Sequence, residues 1–95
     1  MTPPVITGII IFLNGEKFLA EAIESVRAQS FADWELILVD DGSHDGSAAI
    51  ARAYADSDPA RIRCLHHPGH ANRGMSASRN LGLADARGEL VAFLD

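Results

Sequence analysis

Four short apolar runs alternate along this chain with three stretches of helical periodicity. The first run, Val-Ile-Thr-Gly-Ile-Ile-Ile-Phe-Leu from Val5 to Leu13, shows no polar alternation. That is the pattern of a central parallel strand covered on both faces. Asn14-Gly15 ends it as a strand-to-helix loop. Phe18, Leu19, Ala22, Ile23 and Val26 then form one apolar stripe, with Glu16, Lys17, Glu21, Glu24 and Arg27 on the other side. This helix is expected to end near Gln29, before a Ser30-Phe31-Ala32-Asp33 link. Trp34 and Glu35 lead into a second strand, Leu36-Ile-Leu-Val39.

A second helix is expected through Ala48, Ile50, Ala53 and Tyr54, capped by Asp45 or Ser43. It closes at Asp58-Pro59, because the residue before a proline is pushed out of the helical region. Arg61 to His66 alternates as a third strand near a sheet edge, and His67 to Asn72 is loop by composition. A third helix runs from about Gly74 to Ala86, with Gly88 as its stop. Glu89 to Asp95 forms the fourth strand. The order β-α-β-α-β-α-β predicts an α/β fold, a parallel sheet with helices on both faces and right-handed crossovers. With no repeat or linker, residues 1–95 read as a single domain.

The second run stops at Asp40-Asp41-Gly42-Ser43, where a strand hands over to a helix. In open α/β sheets ligands sit outside the carboxyl ends of the strands, so both aspartates stand where recognition takes place. Carboxylates accept hydrogen bonds and attract cations, which suits a ligand that offers N–H or O–H groups. Gly42 allows the turn and a close approach.

Charge narrows the partners. Thirteen acidic against eight basic residues give a formal charge of -5, which is the wrong footprint for a nucleic-acid backbone. A few placed arginines could still hold a small anion. The 47% apolar fraction with 22% charged residues marks a folded chain. Cys64 is the single cysteine, so no internal disulfide forms, in keeping with a reducing, cytoplasmic setting. No apolar run approaches the roughly 20 residues that span a bilayer, and the first residues lack the charged start of a signal peptide.

Several segments, taken together and in this order, resemble the N-terminal, nucleotide-binding part of a family 2 glycosyltransferase of the GT-A fold, a Rossmann-like architecture. They are Asn14-Gly15-Glu16-Lys17-Phe18-Leu19; Ser25 to Phe31 followed by Asp33 to Ser43; Asn72-Arg73-Gly74 with Ser76-Ala77-Ser78-Arg79-Asn80-Leu81-Gly82; and Glu89 to Asp95. Ser78 stands where that family usually has alanine. The resemblance implies that Asp41, alone or with Asp40, accepts the uracil N–H of a UDP-sugar. It implies that Arg73 or Arg79 counters phosphate charge, and that Gly74 lets the third helix begin close to the nucleotide. Asp95 resembles the first aspartate of an Asp-x-Asp motif beside the ribose, with the metal-holding aspartate expected two residues further on. A divalent cation, Mg2+ or Mn2+, and an inverting transfer are expected of the parent enzyme, whereas the 95 residues alone are expected to be inactive and to carry no catalytic residue. One departure stands out. Where the family has Pro-x-Tyr-Asn, this chain has Ile11-Phe12-Leu13-Asn14, so Leu13 replaces the aromatic that stacks on uracil.

Plainer roles compete for the same residues. Asp-Gly-Ser is ordinary turn chemistry, and Arg73 and Arg79 read equally as solvated helix residues. Asn80 suits a bond to a neighbouring loop, and Gly74, Ser78 and Gly82 at spacing four suit close helix–sheet packing. His66, His67 and His70 are crowded but match no tetrahedral metal spacing. Trp34 reads as cover beside the strand and Cys64 as inert core. A non-catalytic binding module is the main alternative function. A receiver-like phosphoacceptor domain lacks the further aspartate after the third strand, and a dinucleotide-binding domain lacks Gly-x-Gly-x-x-Gly after the first. The open sheet edge predicts self-association into a homo-oligomer.

Overall fold

The computed structural model describes residues 4–29 and 33–94. In chain order they form β1 (Ile6–Phe12), α1 (Leu19–Arg27), β2 (Trp34–Asp40), α2 (Ser47–Ser57), β3 (Ile62–His66), a 3-10 turn (Pro68–His70), α3 (Met75–Asp85) and β4 (Leu90–Leu94). Every expected element is present. Asp95 and the Ser30-Phe31-Ala32 part of the predicted link lie outside the described residues.

The four strands make one parallel sheet in the order β3-β2-β1-β4. Its register sets Ile6 opposite Trp34 and Phe12 opposite Asp40. β2 is buried along all seven residues, because it has a strand on each side and helices on both faces. Leu36, Ile37, Leu38 and Val39 are fully enclosed, and burying each such side chain contributes about 1.5–3 kcal/mol. The strands therefore need no polar alternation, and the sequence shows none here.

Steric handedness explains the layers. The steps β1 to β2 to β3 travel one way across the sheet, so right-handed crossovers put α1 and α2 on the same face. Leu19 and Ile23 of α1 and Ala51 of α2 pack there on Ile10, Phe12, Leu36, Leu38 and Ile62. The step from β3 to β4 crosses back over the sheet, so α3 lies on the opposite face. There Leu81 packs with Ile9, Ile37 and Val39. The direction of winding thus reverses between β1 and β4.

Close packing of α3 depends on small residues. A Cβ on Gly82 would sit 2.9 Å from Ile9 Cγ2, and Ser78 is fully buried. Gly74 differs from these two. Nothing lies within 4 Å of a Cβ there, but its φ of +93° is open only to glycine without strain. Gly88 does not stop the helix as expected. α3 ends at Asp85 with Ala86 in extended backbone. Gly88 instead lets the chain pass over β1, where a Cβ would come within 2.7 Å of Thr7 N.

A polar cluster that the apolar pattern could not reveal sits toward the amino ends of the strands. Thr7 Oγ1 donates to Glu35 Oε2 at 2.6 Å, and Arg63 Nη1 donates to Glu35 Oε1 at 2.6 Å. Arg63 Nε reaches Asp85 Oδ2 at 2.8 Å, and the Arg87 amide donates to Glu35 Oε2 at 2.7 Å. Burial alone would raise the Glu35 pKa, but the bonds from Arg63, Thr7 and Arg87 outweigh it and hold the carboxyl below its usual range. The cluster ties β1, β2, β3, α3 and the approach to β4 at the end remote from the acidic turn.

Candidate functional site

The carboxyl ends of the strands carry the acidic turn, and two stapled loops hold it in shape. Asn14 follows β1 in the left-handed region, at φ 53°, which asparagine tolerates better than most residues. Its N–H donates to Ser43 Oγ at 2.8 Å, and its Oδ1 accepts the His44 N–H at 2.8 Å. Glu16 Oε2 accepts the Gly46 N–H at 2.9 Å, while the Glu16 N–H donates to Asp45 Oδ2 at 3.2 Å. Neither cap candidate holds the N-cap of α2, which is Gly46; Asp45, one residue earlier, accepts the Ser47 N–H at 2.8 Å. The Ser47 bonds, set against partial desolvation, hold the Asp45 carboxyl below its usual range. Ser43 is committed to Asn14 instead. The sequence reading missed Asn14 and Glu16 as partners of this turn. The only signal for Asn14 was an amide side chain at a strand end, where such groups bond loop backbone.

Asp40 and Asp41 are both buried and do different things. Asp40 Oδ1 accepts the Ser43 N–H at 2.8 Å and closes the turn, while Oδ2 lies 3.8 Å from His70 Nε2. His70 Nε2 is 2.7 Å from the Ser43 carbonyl and must carry a proton to bond it. Asp41 reaches the other way. Its Oδ1 accepts the Arg73 N–H at 2.8 Å and the Gly74 N–H at 3.1 Å, and Oδ2 makes only a longer 3.2 Å contact with Gly74. The second aspartate thereby fixes the start of α3 beside the ends of β1 and β2.

Gly42 is required by this join. Its φ is +88°, and a Cβ would fall 2.8 Å from Asn72 N. Its close approach is therefore to the chain's own loop. Asp41, Gly42, Arg73 and Gly74 come together as expected, with the Arg73 side chain exposed. Arg79 does not join them, since its guanidinium lies 5.7 Å from the Phe93 ring of β4. Asn80 is exposed, and the neighbouring loop is held by Asp41 instead. Asp95 lies outside the described residues.

The aromatic question at the end of β1 is settled by direction. Phe12 points into the core under α1 and is 6% exposed, whereas Leu13 is 48% exposed. Leu13 is thus the side chain facing outward where the family's aromatic would stand. A groove of about 480 Å3 runs from Leu13 along Phe18, Ala22 and Ser25 of the first loop and helix. A second cavity, of about 560 Å3, opens beside α2 and β3 between Asp40, Arg52, Cys64, His66 and His70. Burial, reinforced by the Asp40 charge, pushes the Cys64 thiol up and leaves it a poor nucleophile.

Among the described residues no three His, Cys, Asp or Glu side chains gather in a way that could hold a metal ion. The described residues by themselves therefore do not fit the divalent cation that the resemblance implies. No helix among them is long and apolar enough to cross a membrane.

Comparison with known proteins bears on this edge of the sheet. The family model described as Glycosyl transferase family 2 matches residues 7–95. The uncharacterized glycosyltransferase EpsJ of Bacillus subtilis is 44% identical over 92 residues, which cover 97% of this chain and 26% of that protein. Staphylococcus aureus TarS 1–349, solved in complex with UDP-GlcNAc, superposes with a TM-score of 0.84 at 29% identity, over 96% of this chain and 26% of that one. The mannosyltransferase PcManGT of Pyrobaculum calidifontis, in complex with GDP-Man and Mn2+, gives a TM-score of 0.82 at 24% identity, covering 96% of this chain and 27% of that one, and shares the fold. The chain spans about a quarter of the length of the relatives it matches.

Proposed function

This chain belongs to glycosyl transferase family 2 and has the α/β sheet of the GT-A fold, and from that premise we propose that residues 1–95 form one domain that binds the nucleotide of a UDP-sugar donor. The observation that carries the proposal is the junction of Asp41 with Arg73 and Gly74, close to where the winding reverses between β1 and β4. Crevices of that kind hold nucleotides in open α/β sheets. Asp41 Oδ2, with one long bond, retains capacity to accept the uracil N–H. Gly74 opens α3, whose amides favour an anion, and the exposed Arg73 supplies a positive charge for the diphosphate. Leu13 covers one face of the base with aliphatic contact in place of stacking. Asp40 supports this arrangement from behind by holding Ser43.

Recognition of the donor, not transfer, is assigned to these residues, within a parent enzyme that carries out an inverting transfer. The chain spans about a quarter of the length of the first relatives it matches. A cytoplasmic setting accords with the single cysteine.

Titration of the chain with UDP tests the reading. Binding should saturate, and Asp41→Ala should weaken it by tenfold or more, because a hydrogen bond to a charged group contributes about 1.5–3 kcal/mol. Equal UDP affinity in the two proteins would remove Asp41 from the site. Incubation of the pure chain with UDP-sugar and Mn2+ should release no sugar above a blank, and turnover would contradict the assignment of recognition alone.

A further inference from the structure

His67 is the buried titratable side chain at this edge that nucleotide recognition leaves unused. It follows β3 directly, and its ring is enclosed between the acidic turn and the buried face of α3. Nε2 lies 2.9 Å from Ser78 Oγ and 3.6 Å from Asp41 Oδ1. The same Oδ1 accepts the Arg73 and Gly74 amides. One carboxylate oxygen thus stands between an imidazole and the two N–H groups that open α3. Serine and aspartate both meet a single ring nitrogen, so this is no nucleophile relay, which uses opposite nitrogens of the imidazole.

We infer that His67 is a positioning residue for Asp41 and makes nucleotide binding weaken in acid. The inference rests on the reading of Asp41 as the carboxylate that meets the base. With a neutral ring, Nε2 and the Ser78 hydroxyl share one hydrogen bond, and Asp41 is left to the two amides and the ligand. An added proton makes both ring nitrogens donors and puts a positive charge beside Oδ1, in a site with little solvent to screen it. The carboxylate is then drawn toward the ring, its hold on Arg73 and Gly74 slackens, and it accepts less well from a nucleobase.

Each element packed about the ring carries charged or titratable groups. The end of β2 contributes Asp41 and, beyond it, Asp40. His66 and His70 of its own segment do not meet the ring: with Asp40 they line the cavity beside α2, His66 Nδ1 contacting the His67 carbonyl at 3.0 Å and His70 engaged with Ser43. α3 contributes Ser78, its charged Arg79 being directed to Phe93.

The test has two arms. Without ligand, NMR across about pH 5–8 should show the Arg73 and Gly74 amides shifting with the same midpoint as the His67 ring. Those shifts should vanish in His67→Gln and persist in His70→Gln. Amides that ignore the His67 titration, or that still titrate in His67→Gln, overturn the coupling. If His67→Gln does not fold, the wild-type curves decide alone, since the midpoints of His66, His67 and His70 are read separately. With ligand, UDP affinity should fall severalfold from pH 8 to pH 5.5 in the wild type and stay level in His67→Gln. A level wild-type affinity overturns the effect on recognition. Absence of UDP binding at every pH overturns the reading of Asp41, and the ligand-free arm separates that failure from failure of the coupling.

Discussion

Arg63 on β3 donates to Glu35 on β2 at 2.6 Å, and that pair anchors the end of the sheet opposite the acidic turn. Glu35 is almost fully enclosed and also receives Thr7 and the Arg87 amide. Replacing it with alanine strands three donors at once. Removing one member of a buried ion pair costs about 3–5 kcal/mol. Arg63 is 21% exposed and keeps Asp85, so the expected loss for Glu35→Ala is smaller, about 2–3 kcal/mol. Urea unfolding at neutral pH should show a correspondingly lower midpoint with an unchanged slope. An unchanged midpoint would mean that the cluster is neutral to stability.

The same carboxylate gives stability a direction with pH. Glu35 is held below its ordinary value of 4.5 in the folded chain. Below that value the unfolded chain takes up a proton while the folded chain resists, so the unfolded state binds more protons and stability falls with acidification. The contribution is fully present above about pH 4.5 and is lost as pH drops through the depressed folded value. Urea midpoints measured downward from pH 6 should decline for the wild type. For Glu35→Gln they should start lower and decline less. Parallel acid limbs would assign the decline to other carboxylates.

Two glycines of the third helical segment should fail for different reasons. Gly82→Ala pushes a methyl against Ile9 Cγ2 at 2.9 Å, and such overpacking costs about 1–3 kcal/mol. Gly74→Ala meets no atom but must hold φ +93° and ψ 169°, a region that costs non-glycine residues about 1–3 kcal/mol. The losses should look alike by denaturation and differ at the site. Gly82→Ala should move the methyl resonances of Ile9 and Val39, whereas Gly74→Ala should move the amides of Arg73 and Gly74 that Asp41 binds. Identical perturbation patterns would contradict the separate causes.

The fold was legible because burial and periodicity agree. Leu36 to Val39 must be buried on both faces, and Leu19, Ala22, Ile23 and Val26 of the expected α1 stripe leave one orientation, whereas Phe18, read into the same stripe, precedes the helix and is 71% exposed. Gly88 was misread because a glycine after a helix resembles a cap from sequence alone, while its packing on Thr7 depends on a strand residue 81 positions away. Asp41 was legible as a site residue, but its bonds to Arg73 and Gly74 were not, since they join segments 32 and 33 positions apart. Glu35 looked like a polar residue at a strand start. Its partners come from β1, β3 and the segment after α3, and no local pattern records them. Arg79 shows the converse: a motif position whose side chain the fold directs to Phe93.

The free side of β4 leads to the last prediction. Among the described residues β4 pairs with β1 alone, and Leu90 and Phe93 are 61% and 44% exposed. Val91 of the same strand is also exposed, at 39%. An unpaired edge backed by exposed apolar side chains is a template for strand addition. Sedimentation velocity should therefore give a mass that rises with concentration. Leu90→Lys with Phe93→Glu should return the chain to a monomer, because charges on an edge strand oppose pairing and both side chains already face solvent. Circular dichroism of the double variant should match the wild type, since neither residue belongs to the buried core. A wild-type mass that stays monomeric at every concentration would mean that the cation of Arg79 over Phe93 and the twist of the strand protect the edge without a partner.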